Sequence, residues 1–250
     1  MKSTEPPETV DVLAIGAHPD DVELHAGGTL LRLASLGYTT GIVDLTRGEA
    51  ATRGTVAERA AEALAAAAVL GVACRELLDL GDSRLIDAEA TRAAVVALLR
   101  RLRPRVVLTH HADQPHPDHA AAASLVTAAA YLAGLKRFGP DDRLPPHRPA
   151  AVLHFGLPRS TPPSFVVDVS SFEEAWERAV RCHRSQWHDS RRAEAETAVS
   201  QPDFLARVIA RRRGDGAAIG AAAGEAFWVR RCLPVDDPVA LFDRPYDVLP

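Results

Sequence analysis

Short apolar runs alternate with amphipathic stretches along the chain, and the alternation predicts its elements. Asp11 to Ala17 is an apolar run of strand length, and the amphipathic stretch after it reads as a helix ending near Gly37. Thr39 to Thr46 is a second strand. The Ala-rich stretch Val56 to Leu70 has strong helix propensity and stops at Gly71, with "CRELLDL" as a shorter strand behind it. Asp87 to Leu102 carries apolar residues at helical spacing, Pro104 ends it, and Arg105 to His111 is a further buried strand. Pro117 suits the first turn of a helix running through Leu135. Strands follow at Ala150 to Phe155 and Ser164 to Val169, then a helix from about Phe172 to Trp187, a helix over Phe204 to Arg213 and a last strand in "EAFWVRR".

Strands and helices in this alternation imply an α/β chain: a Rossmann-like three-layer fold with a mostly parallel sheet and helices on both faces, its site outside the carboxyl ends of the strands. With 47% hydrophobic residues and no break in composition, the 250 residues form one domain, residues 1–9 being a flexible lead.

Charge and cysteine content narrow the function. The net charge of -4, with both signs interspersed, offers no basic field for nucleic acid. Cys74, Cys182 and Cys232 are odd in number and lack C-x-x-C spacing, against a disulfide framework or thiolate zinc site. No apolar run reaches membrane-span length, and "MKSTEPPETV" has no signal-like core, so the expectation is a cytoplasmic protein without a membrane partner. "RRLRPR" and "ARRRG" read as solvated helix faces. "RRGDGAAIGAAAG" has glycines near fingerprint spacing but follows a charged helix, so it reads as a loop and the start of another helix.

Two clusters carry chemistry. His18, Pro19, Asp20 and Asp21 stand after the first strand, where a dinucleotide-binding protein keeps its glycine loop, and "HHADQPHPDH" follows the Arg105 to His111 strand. Two helix-start loops rich in His and Asp can pool ligands around one metal ion. His18, Asp21 and His119 make a three-ligand set that leaves a position open for water. Asp20, projecting differently from Asp21, is free to act as a base or to cap the following helix. His116 can stabilise an oxyanion or pass a proton to a leaving amine. Asp118 reads as structural, holding His116 or its loop by an outer hydrogen bond. His25, His110, His111, His183 and His188 read as surface or packing residues.

"AHPDD" and "HPDH" together resemble the LmbE-like, or PIG-L, family of zinc-dependent N-acetylglucosamine deacetylases. "GAHPDDVEL", "GGTLLRLASLGYTTGIVDLTRGE", "TRGT", "PSFVVDVS" and "GEAFWVRR" are similar to the branch that deacetylates N-acetylglucosaminyl-malate in bacillithiol synthesis. The resemblance implies a Zn2+ cofactor on His18, Asp21 and His119, Asp20 as general base, His116 as the charge-stabilising histidine, Arg53 in sugar contact and a homo-oligomer. Gln114 and Pro115 stand where that branch usually has Asp-Arg, and His25 where it usually has Gly. Alternative readings are a deacetylase for an inositol-linked or antibiotic-type amino sugar, a non-catalytic metal-binding module, and a nucleotide-using enzyme, the last disfavoured by the missing glycine loop.

Overall fold

A computed structural model describes residues 9–138, 144–189, 194–237 and 239, so nearly all of the expected flexible lead lies outside the described residues. Five strands form one parallel sheet: β1 (Val12–Gly16), β2 (Thr40–Asp44), β3 (Cys74–Leu77), β4 (Val106–His110) and β5 (Ala151–Phe155). Their order is β3-β2-β1-β4-β5, so the chain winds outward from β1 in one direction and then restarts beside it in the other. Val12 pairs with Thr40 on one side and Val106 on the other, which makes the β1/β4 boundary the point where the winding reverses. A crevice opens at the carboxyl ends of strands at such a point.

The helices α1 (Asp21–Ser35), α2 (Val56–Leu70), α3 (Glu89–Leu102), α4 (Pro117–Leu132), α5 (Glu173–Val180) and α6 (Phe204–Ala217) supply the outer layers. Alternation along β1 sorts them. Leu13 and Ile15 pack with Val95, Leu99, Leu125 and Val126 of α3 and α4. Val12 and Ala14 face the other way, onto Val22, Ala26, Leu30, Leu70 and Ala179 of α1, α2 and α5. Both faces are covered, so the middle strands are mostly apolar, with polar residues such as Asp44, Thr109 and His110 toward their carboxyl ends.

Local signals explain several boundaries. Thr55 caps α2 with a full capping box to Glu58, and Gly71 closes it in the left-handed region at φ 68°. His116 is the N-cap of α4 and Pro117 its first residue.

Other expectations shift. The helix expected over Phe172 to Trp187 is a 3-10 turn at Ser170–Phe172 and then α5, which ends at Val180; the 183–186 segment turns back to pack on Arg53 and Gly54. α4 stops at Leu132, three residues early. α6 runs on through the glycines read as a loop, because a Cβ at Gly216 would lie 2.7 Å from the Ala223 backbone and only glycine allows that approach. The strands β6 (Phe165–Asp168) and β7 (Gly224–Phe227) form a separate antiparallel pair, bridged to the main sheet through His154 and Trp228. The two basic runs are not wholly solvated. Arg100 is buried and donates to the Ala133 and Leu135 carbonyls, and Arg212 is buried against Glu225 and the Trp176 ring. No helix among the described residues is long and apolar enough to cross a membrane.

Candidate functional site

β1 delivers the His18 to Asp21 turn into the crevice, and β4 delivers His110 and the loop to α4. The turn is closed locally: the Asp21 N–H donates to the His18 carbonyl at 3.3 Å, and the His18 N–H donates to Asp21 Oδ2 at 2.7 Å. That bond aims the Asp21 carboxylate back at His18, whose Nδ1 is 3.4 Å away. The second oxygen, Asp21 Oδ1, lies 3.1 Å from His119 Nε2. One ring nitrogen each of His18, His116 and His119 falls within 4.8 Å of the others. Asp21 thus touches both His18 and His119, but the candidate ligand groups divide the expected trio: His119 groups with His18 and His116 on one side and with Asp21 and His110 on the other.

His110, read from the sequence as packing, belongs to this cluster. It is fully buried, its Nε2 is 3.1 Å from Asp21 Oδ2, and its ring stacks on His119 at 4.1 Å. Burial lowers its imidazole to about 4 against the opposing pull of the Asp21 carboxylate. Its place at the carboxyl end of β4 was the available signal. Asp82, in the loop after β3, was also missed although it follows the same rule: its Oδ1 lies 3.3 Å from His18 Nε2.

Asp118 holds different partners from those expected. Its oxygens accept from the Ser83 and Leu85 N–H groups at 2.7 and 3.2 Å, and Oδ2 lies 3.1 Å from His18 Nε2. It orients His18 and the loop after β3. Its link to His116 is through the backbone: the Asp118 N–H donates to His116 Nδ1 at 3.2 Å. That bond leaves the proton of a neutral His116 on Nε2, which is therefore a donor.

Asp20 forms no side-chain cap, so the capping alternative is not realised. Its backbone has φ 125°, strained for a residue with a Cβ. Burial lifts its carboxyl to about 6 against the opposing pull of the Arg59 guanidinium, whose Nη2 is 3.6 Å away. Arg53 is buried, with Nε donating to the Ser185 carbonyl at 3.2 Å and Nη2 without a partner. His25 packs flat on Phe155, His183 is buried against Glu23, and His111 stands edge-on to Trp228. His188 is exposed.

The charge of the cluster shows what it suits. Burial would lower the His18 imidazole, but hydrogen bonds to Asp21 and Asp82 and the nearby Asp20 charge raise it to about 11. Opposed by burial, the His119 and His110 imidazoles still hold Asp21 well below the usual carboxylate range. The surroundings demand positive charge at this point, and imidazole nitrogens with carboxylate oxygens fit a divalent cation such as zinc, iron, cobalt or manganese. No cysteine enters any of the candidate ligand groups among the described residues.

Comparison with known proteins adds to the geometry. A family model described as PIG-L, GlcNAc-PI de-N-acetylase, matches residues 13–130, a span holding both His/Asp clusters. The chain is 34% identical over 186 residues to diacetylchitobiose deacetylase of Thermococcus kodakarensis, covering 70% of each protein. It is 28% identical over 191 residues to 4-oxalmesaconate hydratase of Pseudomonas putida, covering 70% of this chain and 74% of the relative. The crystal structure of a conserved protein from Thermus thermophilus superposes with a TM-score of 0.82 at 36% identity, covering 91% of this chain and 97% of the other.

Proposed function

Because the chain belongs to the PIG-L family, we propose that it is a metal-dependent deacetylase that hydrolyses the N-acetyl amide of an N-acetylglucosaminide. N-acetylglucosaminyl-malate is the substrate its motif resemblance favours. Asp20 carries the reading: a buried carboxylate near 6, spent on no helix cap and absent from every candidate ligand group, stands next to a cluster suited to a cation.

His18, Asp21 and His119 would hold the ion, zinc or another divalent metal, which supplies Lewis acidity to the amide carbonyl and makes a bound water more acidic. Asp20 takes a proton from the attacking water as its oxygen bonds to the carbonyl carbon. A carboxyl near 6 is largely ionised at neutral pH and basic enough for that task. The same proton then passes to the sugar nitrogen as the C–N bond breaks, giving a free amine and acetic acid, which releases the water's second proton to become acetate. His116 donates from Nε2 to the carbonyl oxygen as charge develops there. Asp118 keeps the His18 ring oriented. Arg53 is proposed for sugar contact on its motif resemblance alone, since its side chain is buried and its unpartnered Nη2 lies beneath the surface.

Amine release from N-acetylglucosaminyl-malate, an inositol-linked N-acetylglucosaminide and diacetylchitobiose, with added divalent metal and with chelator, tests this reading. Wild type should release amine from at least one in a chelator-sensitive way, and Asp20→Asn should keep metal but lose about 10²- to 10⁴-fold in rate. No amine from any substrate, with hydration of an unsaturated acid instead, would move the chain to the chemistry named for its hydratase relative. A fully active Asp20→Asn would remove Asp20 from the mechanism.

A further inference from the structure

Arg59 plays no part in the steps above, yet it is 4% exposed and reaches the turn that bears the base. It stands in the first turn of α2, a helix start fixed by the Thr55–Glu58 capping box. From there Nη2 donates to the Pro19 carbonyl at 2.6 Å and lies 3.6 Å from Asp20 Oδ2, while Nη1 reaches the Gly48 carbonyl at 3.5 Å. Gly48, at φ 66°, forms the floor of this cradle, and a Cβ there would overlap the guanidinium.

The Pro19 carbonyl belongs to the peptide plane that leads into Asp20. Holding that oxygen fixes the plane about which the Asp20 φ is defined, and that φ is the strained one, at 125°. Strained backbone persists only where its surroundings over-determine it. No side-chain cap from Asp20 helps to hold it. Three of the four residues in His18-Pro19-Asp20-Asp21 carry polar side chains, and among the described residues His18 and Asp21 enter separate candidate ligand groups while Asp20 enters none.

We infer that Arg59 is a positioning residue for Asp20: its fork clamps the Pro19 carbonyl and flanks the carboxylate, holding the base in the strained conformer that keeps it out of the ligand set. The inference rests on the proposed role of Asp20 as base. A forked, rigid donor suits this task better than an ammonium, because one hand holds the peptide oxygen while the other stays anchored at Gly48.

Arg59→Ala and Arg59→Lys should be assayed for metal content, kcat and KM. Metal should be retained in both, KM should stay near wild type, and kcat should fall about 100-fold in the alanine variant and about tenfold with lysine, the scale set by misplacing a reacting group by about an ångström. Millimolar guanidinium, below denaturing concentrations, should restore part of the kcat of Arg59→Ala, whereas equal urea should not. Should the alanine variant fail to fold, the lysine variant carries the test. Wild-type kcat in a folded variant, or a loss of kcat that guanidinium leaves untouched, overturns the inference. An active Asp20→Asn would overturn it together with the mechanism; an inactive Asp20→Asn beside fully active Arg59 variants overturns the inference alone.

Discussion

The first turn of α1 faces two buried charge clusters, and they are neutralised in opposite ways. Behind the turn, Glu23 meets Arg75 and lies 3.0 Å from His183 Nε2, while Arg75 also grips Asp44 through Nε at 2.7 Å and Nη2 at 3.0 Å. Two carboxylates face one guanidinium and one imidazole, so the group balances itself within the chain. In front of the turn, the carboxylates of Asp20, Asp21, Asp82 and Asp118 crowd His18, and Arg59 is the guanidinium beside them. Against burial, the surplus of negative charge there raises the His18 imidazole to about 11. A buried cluster left unbalanced by its own side chains is costly unless another cation joins it. The difference separates a structural knot from a site.

The sharpest way to break this comparison is to remove a nitrogen from the front cluster. His18→Ala and His119→Ala should abolish stoichiometric divalent-metal retention, since each takes one donor from the proposed set of three. Both should stay folded, because the two hydrophobic faces of the sheet pack without them. A full metal equivalent in either variant, by elemental analysis after dialysis, would show that the ligand set lies elsewhere.

The rear cluster should respond in stability and leave metal binding unchanged. The Glu23 and Arg75 side chains are fully buried, and Glu23→Gln leaves the guanidinium and imidazole without their shared anion. A loss of about 3–5 kcal/mol in urea unfolding at neutral pH follows, as for breaking a buried pair by one partner. The pH dependence has two arms. Although burial opposes it, Arg75 and His183 hold Glu23 well below the usual carboxylate range, so its contribution is present above about pH 4.5 and fades as pH falls beneath that. Against burial, the Glu23 charge raises His183, so its contribution is complete below about pH 6.5 and is lost as pH rises through the raised value. His183→Gln should flatten the decline in stability above about pH 6.5 relative to wild type. Equal slopes in the two proteins would remove His183 from the balance.

What the sequence made legible followed from local rules. β1, α2 and β4 fall within or on their expected bounds because apolar runs, helix propensity, Gly71 and Pro104 act on neighbours in the chain. The two His/Asp clusters were legible because each sits at a strand end beside a helix start. What was missed depends on distant partners. α6 continues through Gly214 and Gly216 because Gly216 packs on Ala223, and nothing in "RRGDG" announces that neighbour. His110, Asp82 and Arg59 become part of the site only when β4, the loop after β3 and α2 are placed around β1. Asp82 and His110 could have been found by carrying the strand-end rule to every strand. Arg59 lies inside a helix and had no such signal.

The smallest expected effect concerns Gln114, where the chain departs from its resembling branch. Gln114 Oε1 lies 3.4 Å from His119 Nδ1, and its amide nitrogen end rests on Gly156, where a Cβ would come within 2.7 Å of Nε2. Gly156 has φ 67°, so both the turn and the amide depend on that glycine. With Nδ1–H donated to Gln114, His119 presents Nε2 to the cluster, 3.1 Å from Asp21 Oδ1, and the ring is kept from turning by the His110 face 4.1 Å away. An amide in this position fixes the tautomer without adding charge to a cluster already rich in carboxylates. Gln114→Leu should weaken metal binding by about tenfold, or about 1.4 kcal/mol, the lower end of what such outer partners are worth. Gln114→Glu should tighten it, because a carboxylate makes the imidazole a stronger donor. Competition against a chelator of known affinity reads both. Identical affinities in wild type and both variants would show that His119 is oriented by Asp21 and His110 without help from Gln114.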